Sequence, residues 1–448
     1  MQWMICYTFR QILPLVFVGI LLVLPTKVSA MNIEKVTSPS GIEAWLVQED
    51  NVPMIALRFA FKGGAVQDAR GREGTAYLLS GLLDEGAGEL DSRAFQEKVE
   101  ELTVRLSFDA SRDHFSGSFQ TLTERKTEAF DLLKLALTKP RFDQDAIDRV
   151  RGQILSSLKF DANNPQNVAQ LAWFKSAYNG HPYGRPTKGT EQSVQALTRE
   201  DLIAAHKAVF AREHLKVAVV GDISAEELAP LLDHVFGDLP EKSGIKPVAS
   251  SEAVFGPELD VVNMIVPQSV VQFGHQGVKR RDDDFIPAYI LNYILGGGGF
   301  ASRLMTEVRE KRGLAYSIYS YLYPLEHGAL VLGGVATKNA SVQEAIELIK
   351  KEVTRLGHEG PTEEEFQNAK DYLTGSYALR FDTSSKIAGQ LLWIQVEGLG
   401  IDYVTSRNEQ IKKVTHQRIK EVAKRLLHGN KLRFTVVGQP NGDVFKSK

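Results

Sequence analysis

Five short stretches of this chain occur twice, in the same order. Ala76-Tyr77-Leu78-Leu79 matches Ala288-Tyr289-Ile290-Leu291, Ser92-Arg93 matches Ser302-Arg303, and Lys159-Phe160-Asp161 matches Arg380-Phe381-Asp382. Gln170-Leu171-Ala172-Trp173 matches Gln390-Leu391-Leu392-Trp393, and Leu215 to Gly221 matches Leu432 to Gly438. The spacing between partners stays between 210 and 221 residues, so one folding unit is built twice. The repeat divides the chain into related domains, 31–238 and 259–448, joined by 239–258, where Pro240, Gly244, Pro247 and Ser250-Ser251 read as a linker.

Each half opens with short strands, passes through a helix-rich middle and closes on a β segment. In the first, a Ser40-Gly41 turn separates two strands, and a third, Met54 to Phe61, leads to a helix predicted from about Glu73 to Leu83. In the second, Thr362 followed three residues later by Glu365 reads as a capping box opening a late helix. This pattern predicts an α+β fold: two duplicated domains, each a mostly antiparallel sheet with helices packed on one face, together enclosing a cleft or chamber.

Residues 1–30 stand apart. Arg10 precedes an apolar run, Ile12 to Pro25, and Val28-Ser29-Ala30 has the small-x-small form of a signal peptidase site. We read a cleaved signal peptide, an exported and periplasmic chain, and no stable membrane insertion afterwards. The one cysteine, Cys6, lies inside that leader, so the mature chain has no disulfide and no thiolate ligand. Without Arg10 and Lys27 the mature chain keeps 51 basic residues against 55 acidic, and no basic stretch favours nucleic acid.

The stretch richest in chemistry runs from Leu295 to Ser320. Gly296, Gly297, Gly298 and Gly299 follow an apolar helical run, which predicts that the helix stops there and frees backbone N–H groups. A second helix is expected from near Ser302, ended by Gly313, and then an aromatic strand from Leu314 to Tyr323. Arg309 and Tyr316, seven residues apart around that turn, are expected to face one cleft.

This segment resembles the second domain of the M16 (pitrilysin-like, inverted zinc motif) metallopeptidases, with its Gly-rich stretch and an Arg and a Tyr seven apart. The resemblance spans nearly all of 31–448. It implies that Arg309 and Tyr316 hydrogen-bond the substrate carbonyl as charge develops on it, with Gly296 to Gly299 offering backbone contacts to an extended peptide. It also implies His-x-x-Glu-His on the first-half helix, with two His as zinc ligands and the Glu as general base. Here those positions read Tyr77-Leu78-Leu79-Ser80-Gly81, and the helix expected to supply a third ligand reads Gln153 to Lys159 without a carboxylate.

None of the ten histidines completes a substitute motif. Phe210 stands three residues before Glu213-His214, Tyr323 three before Glu326-His327, and His358-Glu359 is followed by Gly360-Pro361-Thr362. A Gly-x-Ser-x-Gly elbow and a phosphate-binding loop are absent too. His181 to Pro186 reads as a structural loop.

The resemblance therefore implies a non-catalytic, substrate-binding subunit of a heteromeric zinc metallopeptidase. It would hold no metal of its own, with zinc carried by a homologous partner bearing the intact motif and with peptides as substrates. The alternative is an inert M16-like scaffold or peptide-binding protein.

Overall fold

The structure, a computed structural model, is described for residues 31–253 and 258–441. Residues 1–30, read above as a signal peptide, part of the expected linker, 254–257, and residues 442–448 lie outside the described residues. The described residues from Ile33 onward cluster as one compact unit.

The first half supplies six strands: β1 Glu34–Thr37, β2 Glu43–Gln48, β3 Met54–Lys62, β4 Arg105–Ala110, β5 His114–Leu122 and β6 Lys216–Gly221. They order as β1-β2-β6-β3-β5-β4, antiparallel except for the β2/β6 pair. Its helices are α1 Thr75–Ser80, α2 Ser92–Glu101, α3 Lys126–Thr138, α4 Gln144–Ala162, α5 Pro165–Ala177, α6 Glu191–Gln195, α7 Arg199–Val209 and α8 Ala225–Phe236.

The second half repeats the design with β7 Leu259–Asn263, β8 Gln268–Gln276, β9 Ala315–Leu325, β10 Gly328–Lys338 and β11 Arg433–Gly438. Their order is β7-β11-β8-β10-β9, and only β7/β11 is parallel. Its helices are α9 Phe285–Asn292, α10 Val342–Glu359, α11 Glu363–Gly375, α12 Ser384–Val396, α13 Tyr403–Lys413 and α14 His416–Leu426. The capping box at Thr362 forms as expected: Thr362 Oγ1 accepts from Glu365 N at 3.1 Å, and Glu365 Oε2 accepts from Thr362 N at 2.8 Å.

The repeat is exact enough to duplicate strain. Gly221 and Gly438 end the corresponding strands β6 and β11 at φ +146° and +151°, conformations that a side chain rarely adopts. Likewise Gly117 lies across from Phe59 and Gly333 across from Phe273; a Cβ on either glycine would fall 2.1 or 2.2 Å from the opposing ring. Each sheet thus seats one phenylalanine ring on a cross-strand glycine.

One face of each sheet carries its own half's core. In β3 that face is Ile55, Leu57, Phe59 and Phe61, packed with Phe95, Phe130 and Phe236. The opposite face is covered by a helix of the other half. Arg58 Nη2 donates to Ser385 Oγ on α12 at 2.9 Å, and Gln395 Nε2 of α12 donates to Val217 O of β6 at 2.8 Å. Reciprocally, Trp173 Nε1 of α5 donates to Arg433 O of β11 at 3.3 Å, and Ala169 packs with Val270 and Val437. Small residues make the close approach possible: Ala56, Ala60 and Ala218 lie beneath α12, while Gly274 lies beneath Trp173.

A polar junction closes the seam. The Tyr183 hydroxyl donates to Asp113 Oδ1 at 2.6 Å, Glu326 N donates to Asp113 Oδ2 at 3.1 Å, and His327 N donates to the Tyr183 hydroxyl at 2.9 Å. Lys62 pairs with Glu326 at 2.8 Å. Cavities of about 210 and 160 Å³ remain along the seam, both lined by His114 and Glu326.

Burial holds four histidines, His114, His206, His275 and His327, below the usual imidazole range, His275 down to about 4. A base whose folded pKa is depressed adds stability that is present above its unfolded pKa of about 6.5 and lost as pH falls below it. His275 alone should therefore cost about 2 kcal/mol between pH 7 and pH 5. Burial raises the Asp68 and Asp84 carboxyls, which act in the opposite sense over the same range, so the share of His275 is read against a variant. Between pH 7 and pH 5 the stability difference between the protein and His275→Gln should move by about 2 kcal/mol in favour of the variant, and a constant difference would contradict this.

Candidate functional site

The helix expected over Glu73 to Leu83 is shorter, Thr75–Ser80, and continues as single turns: Gly81 N donates to Leu78 O, and Leu82 N to Leu79 O. Its start is fixed by buried Asp68, whose carboxylate accepts from Gly74 N at 2.8 Å and Ala76 N at 3.0 Å. Burial pushes that carboxyl up to about 7, while the two amides and Arg185 pull the other way. Tyr77, Ser80 and Gly81 line a cavity of about 380 Å³, together with Gln153 and Ser157 of α4 and Asp109 of β4.

The positions expected for an inverted zinc motif therefore do converge in space. Their donors do not fit the metal: a phenol, two hydroxyls and an amide, with Asp109 the sole lining carboxylate, where zinc takes three or more imidazole, thiolate or carboxylate ligands. Among the described residues no three His, Cys, Asp or Glu side chains form a metal-binding group.

The Gly-rich segment departs from expectation. The helix does not stop at Leu295; it widens into a π-turn over Tyr293–Gly297, closed by Gly298 N donating to Tyr293 O at 2.8 Å. Gly296 is buried against β9, where a Cβ would fall 2.5 Å from Ser320 Oγ and 2.7 Å from Ser320 N. Asn292 locks the same contact, donating through Nδ2 to Ser320 O and accepting from Ser320 Oγ at 2.8 Å. Gly297 and Gly299 are exposed, and Gly299 takes the left-handed turn at φ +56°. Free backbone donors were expected from all four glycines, but Gly296 instead serves close packing. Gly296→Ala should cost 1 to 3 kcal/mol, about what overpacking costs elsewhere, whereas Gly297→Ala, exposed and opposite the Asn292 amide end, should cost less. Urea unfolding of the two variants separates them.

Two local irregularities then bring Arg309 and Tyr316 together. Met305–Glu310 is π-helical rather than α-helical, with Lys311 N donating to Thr306 O and Leu314 N to Val308 O. Gly313 ends it at φ +62°, as the sequence suggests. In β9 the register shifts between the pairs Ile318↔Val335 and Ala315↔Thr337, so Tyr316 and Ser317 together oppose Ala336. This β-bulge turns both residues outward, leaving Tyr316 86% exposed. Such bulges commonly aim side chains at functional sites.

The result is a cation with two aromatic rings beside it. Arg309 Cζ sits 4.4 Å from the Phe300 ring centroid and 5.3 Å from that of Tyr316. Neighbouring charges are satisfied elsewhere. Arg303 makes a two-pronged pair with Glu365 at 2.6 Å, and Lys311 and Arg312 both bind Glu307, holding its carboxyl down to about 2. Among the described residues Arg309 has no carboxylate within ion-pairing distance. Sequence reasoning did not single out Phe300; its only signal is a large aromatic exposed directly after a glycine run.

Comparison with known proteins places these features in context. A family model described as "Insulinase (Peptidase family M16)" matches residues 45–191, and one described as "Peptidase M16 inactive domain" matches residues 196–373. A Helicobacter pylori protein named "Non-peptidase homolog YmxG" is 28% identical over 89% of this chain and 92% of its own. A Bacillus subtilis "Uncharacterized zinc protease YmxG" is 22% identical over 80% of this chain and 86% of its own. The crystal structure of a peptidase M16 inactive domain from Pseudomonas fluorescens superposes with a TM-score of 0.86 at 27% identity, covering 92% of this chain and 98% of that one.

Proposed function

This chain belongs to the peptidase M16 family, and from that premise we propose that it is the non-catalytic, substrate-binding subunit of a heteromeric zinc metallopeptidase that degrades or processes peptides. The observation that carries the reading is the contrast between its two sites. Where the motif would hold zinc, the lining groups are Tyr77, Ser80, Gly81 and Gln153. Arg309, by contrast, lies beside the Phe300 and Tyr316 rings with no carboxylate among the described residues neutralising it.

In this reading the partner is a homologous M16 chain with an intact His-x-x-Glu-His, whose zinc supplies water activation when bound. Arg309 and the Tyr316 hydroxyl donate to the substrate carbonyl oxygen as negative charge builds there. Exposed Gly297 and Gly299 would lie beside an extended peptide. The chain works after export, in the periplasm, with its leader removed.

The test is assembly. Purified mature chain and a homologue carrying the zinc motif, passed together through size exclusion, should elute as one complex with both chains in equal amounts. Separate elution at all concentrations would count against a subunit role and favour the inert scaffold.

A further inference from the structure

The repeat that relates α1 to α9 also relates their surroundings. Tyr77 corresponds to Tyr289 and Ser80 to Asn292. Both of the latter line a cavity of about 290 Å³ walled by α9, β9, α12 and α13. It is the second half's counterpart of the cavity beside α1, and its chemistry is the opposite.

Three arginines line it: Arg280, Arg380 and Arg407. Their protein partners are neutral. Arg407 Nη1 donates to Leu373 O at 3.0 Å and Asn408 Oδ1 at 2.9 Å, Arg280 Nη2 donates to the Tyr403 hydroxyl at 2.7 Å, and Arg380 Nη2 meets the Tyr289 hydroxyl at 3.4 Å. Arg407 is only 4% exposed, and its Cζ lies 4.2 Å from the Tyr377 ring centroid. Among the described residues none of the three has a carboxylate within ion-pairing distance. Glu397 is the one carboxylate in the lining, leaving the cavity with an excess of two positive charges. A buried guanidinium without an anion is costly, since removing it from water is repaid only by a charged partner.

We propose that this cavity binds the carboxylate of a ligand about the size of one amino-acid residue, with Arg380 and Arg407 holding the anion. The volume lies at the small end of ligand pockets, roughly 300 Å³. Trp393, Ile286 and Leu399 supply an apolar wall for the ligand's body. Tyr321 and Leu322 of β9 also line the cavity, and β9 is the free edge of its sheet. A peptide extended along that edge would end with its C-terminal carboxylate among the arginines. This peptide form rests on the subunit reading above; carboxylate binding itself does not.

The test uses the purified chain alone, by calorimetry and by the fluorescence of Trp393. N-acetyl-leucine should bind, and N-acetyl-leucinamide should bind at least tenfold more weakly, with the same ordering for an octapeptide bearing a free or amidated C-terminus. Arg380→Gln, at an exposed position, and Arg407→Gln, checked by melting to be folded, should each weaken the free acids at least tenfold. Equal binding of acid and amide would overturn the proposal, as would no heat from either at about 10 mM or full affinity in both variants. Tighter binding of the free-acid peptide than of N-acetyl-leucine assigns the ligand to peptides; equal binding assigns it to small acids. If the acids bind but no partner restores peptidase activity, the cavity stands and the subunit reading falls; the converse result separates them the other way.

Discussion

Arg309→Ala should lower peptide turnover by the assembled enzyme about a hundredfold, within the range seen when one oxyanion-stabilising donor is removed. The loss should fall on kcat more than on KM, because the interaction strengthens only as the carbonyl gains charge. Tyr316→Phe separates two roles of the same side chain. The ring that flanks the guanidinium at 5.3 Å remains, and only the hydroxyl is lost. A tenfold or larger fall in kcat would mean the hydroxyl donates to substrate; an unchanged rate would reduce Tyr316 to a prop for Arg309. Tyr316 is exposed and Arg309 half-buried, with no ion pair among the described residues to lose, so assembly and melting temperature should change little.

Trp173→Ala should be the most destabilising single truncation at the seam, at about 3 to 5 kcal/mol. Trp173 is 2% exposed on α5, seated against Gly274 of the opposite half's sheet, with its Nε1 donating to Arg433 O. Its repeat partner, Trp393 on α12, is 44% exposed and lines a cavity instead. Trp393→Ala should therefore cost below about 2 kcal/mol, the difference reflecting burial rather than residue type. Urea unfolding of both variants measures it. Equal costs would mean that the two halves are not coupled through α5 as described.

Much of this architecture was legible because duplication leaves marks that survive in short strings. Leu215 to Gly221 and Leu432 to Gly438 contain the corresponding strands β6 and β11, the first paired in parallel with β2 and the second with β7. The α+β class, the Thr362 cap and the turn at Gly313 follow from local rules. The exchange of α5 and α12 between halves was not legible. It depends on which sheet face is lined by small residues such as Ala56, Ala60 and Gly274, and periodicity does not say which helix will cover that face. The site was half legible. Arg309 and Tyr316 were expected to face one cleft; the fold sets them side by side, with the guanidinium 5.3 Å from the phenol ring centroid. The π-turn over Tyr293–Gly297 was not foreseen, because Gly296 and Asn292 meet Ser320 only through the fold, and local propensity marks neither the π-turn over Met305–Glu310 nor the bulge at Tyr316. The arginine cavity was invisible for the same reason: Arg280, Arg380 and Arg407 are far apart in sequence and meet only in the fold.

The most direct test of the central claim is a peptidase assay of the mature chain, alone and mixed with a homologue carrying His-x-x-Glu-His, with zinc counted in each sample by elemental analysis. The account predicts no stoichiometric zinc and no turnover in the chain alone, and activity in the mixture beyond that of the homologue alone. Stoichiometric zinc with chelator-sensitive turnover in the chain by itself would contradict it.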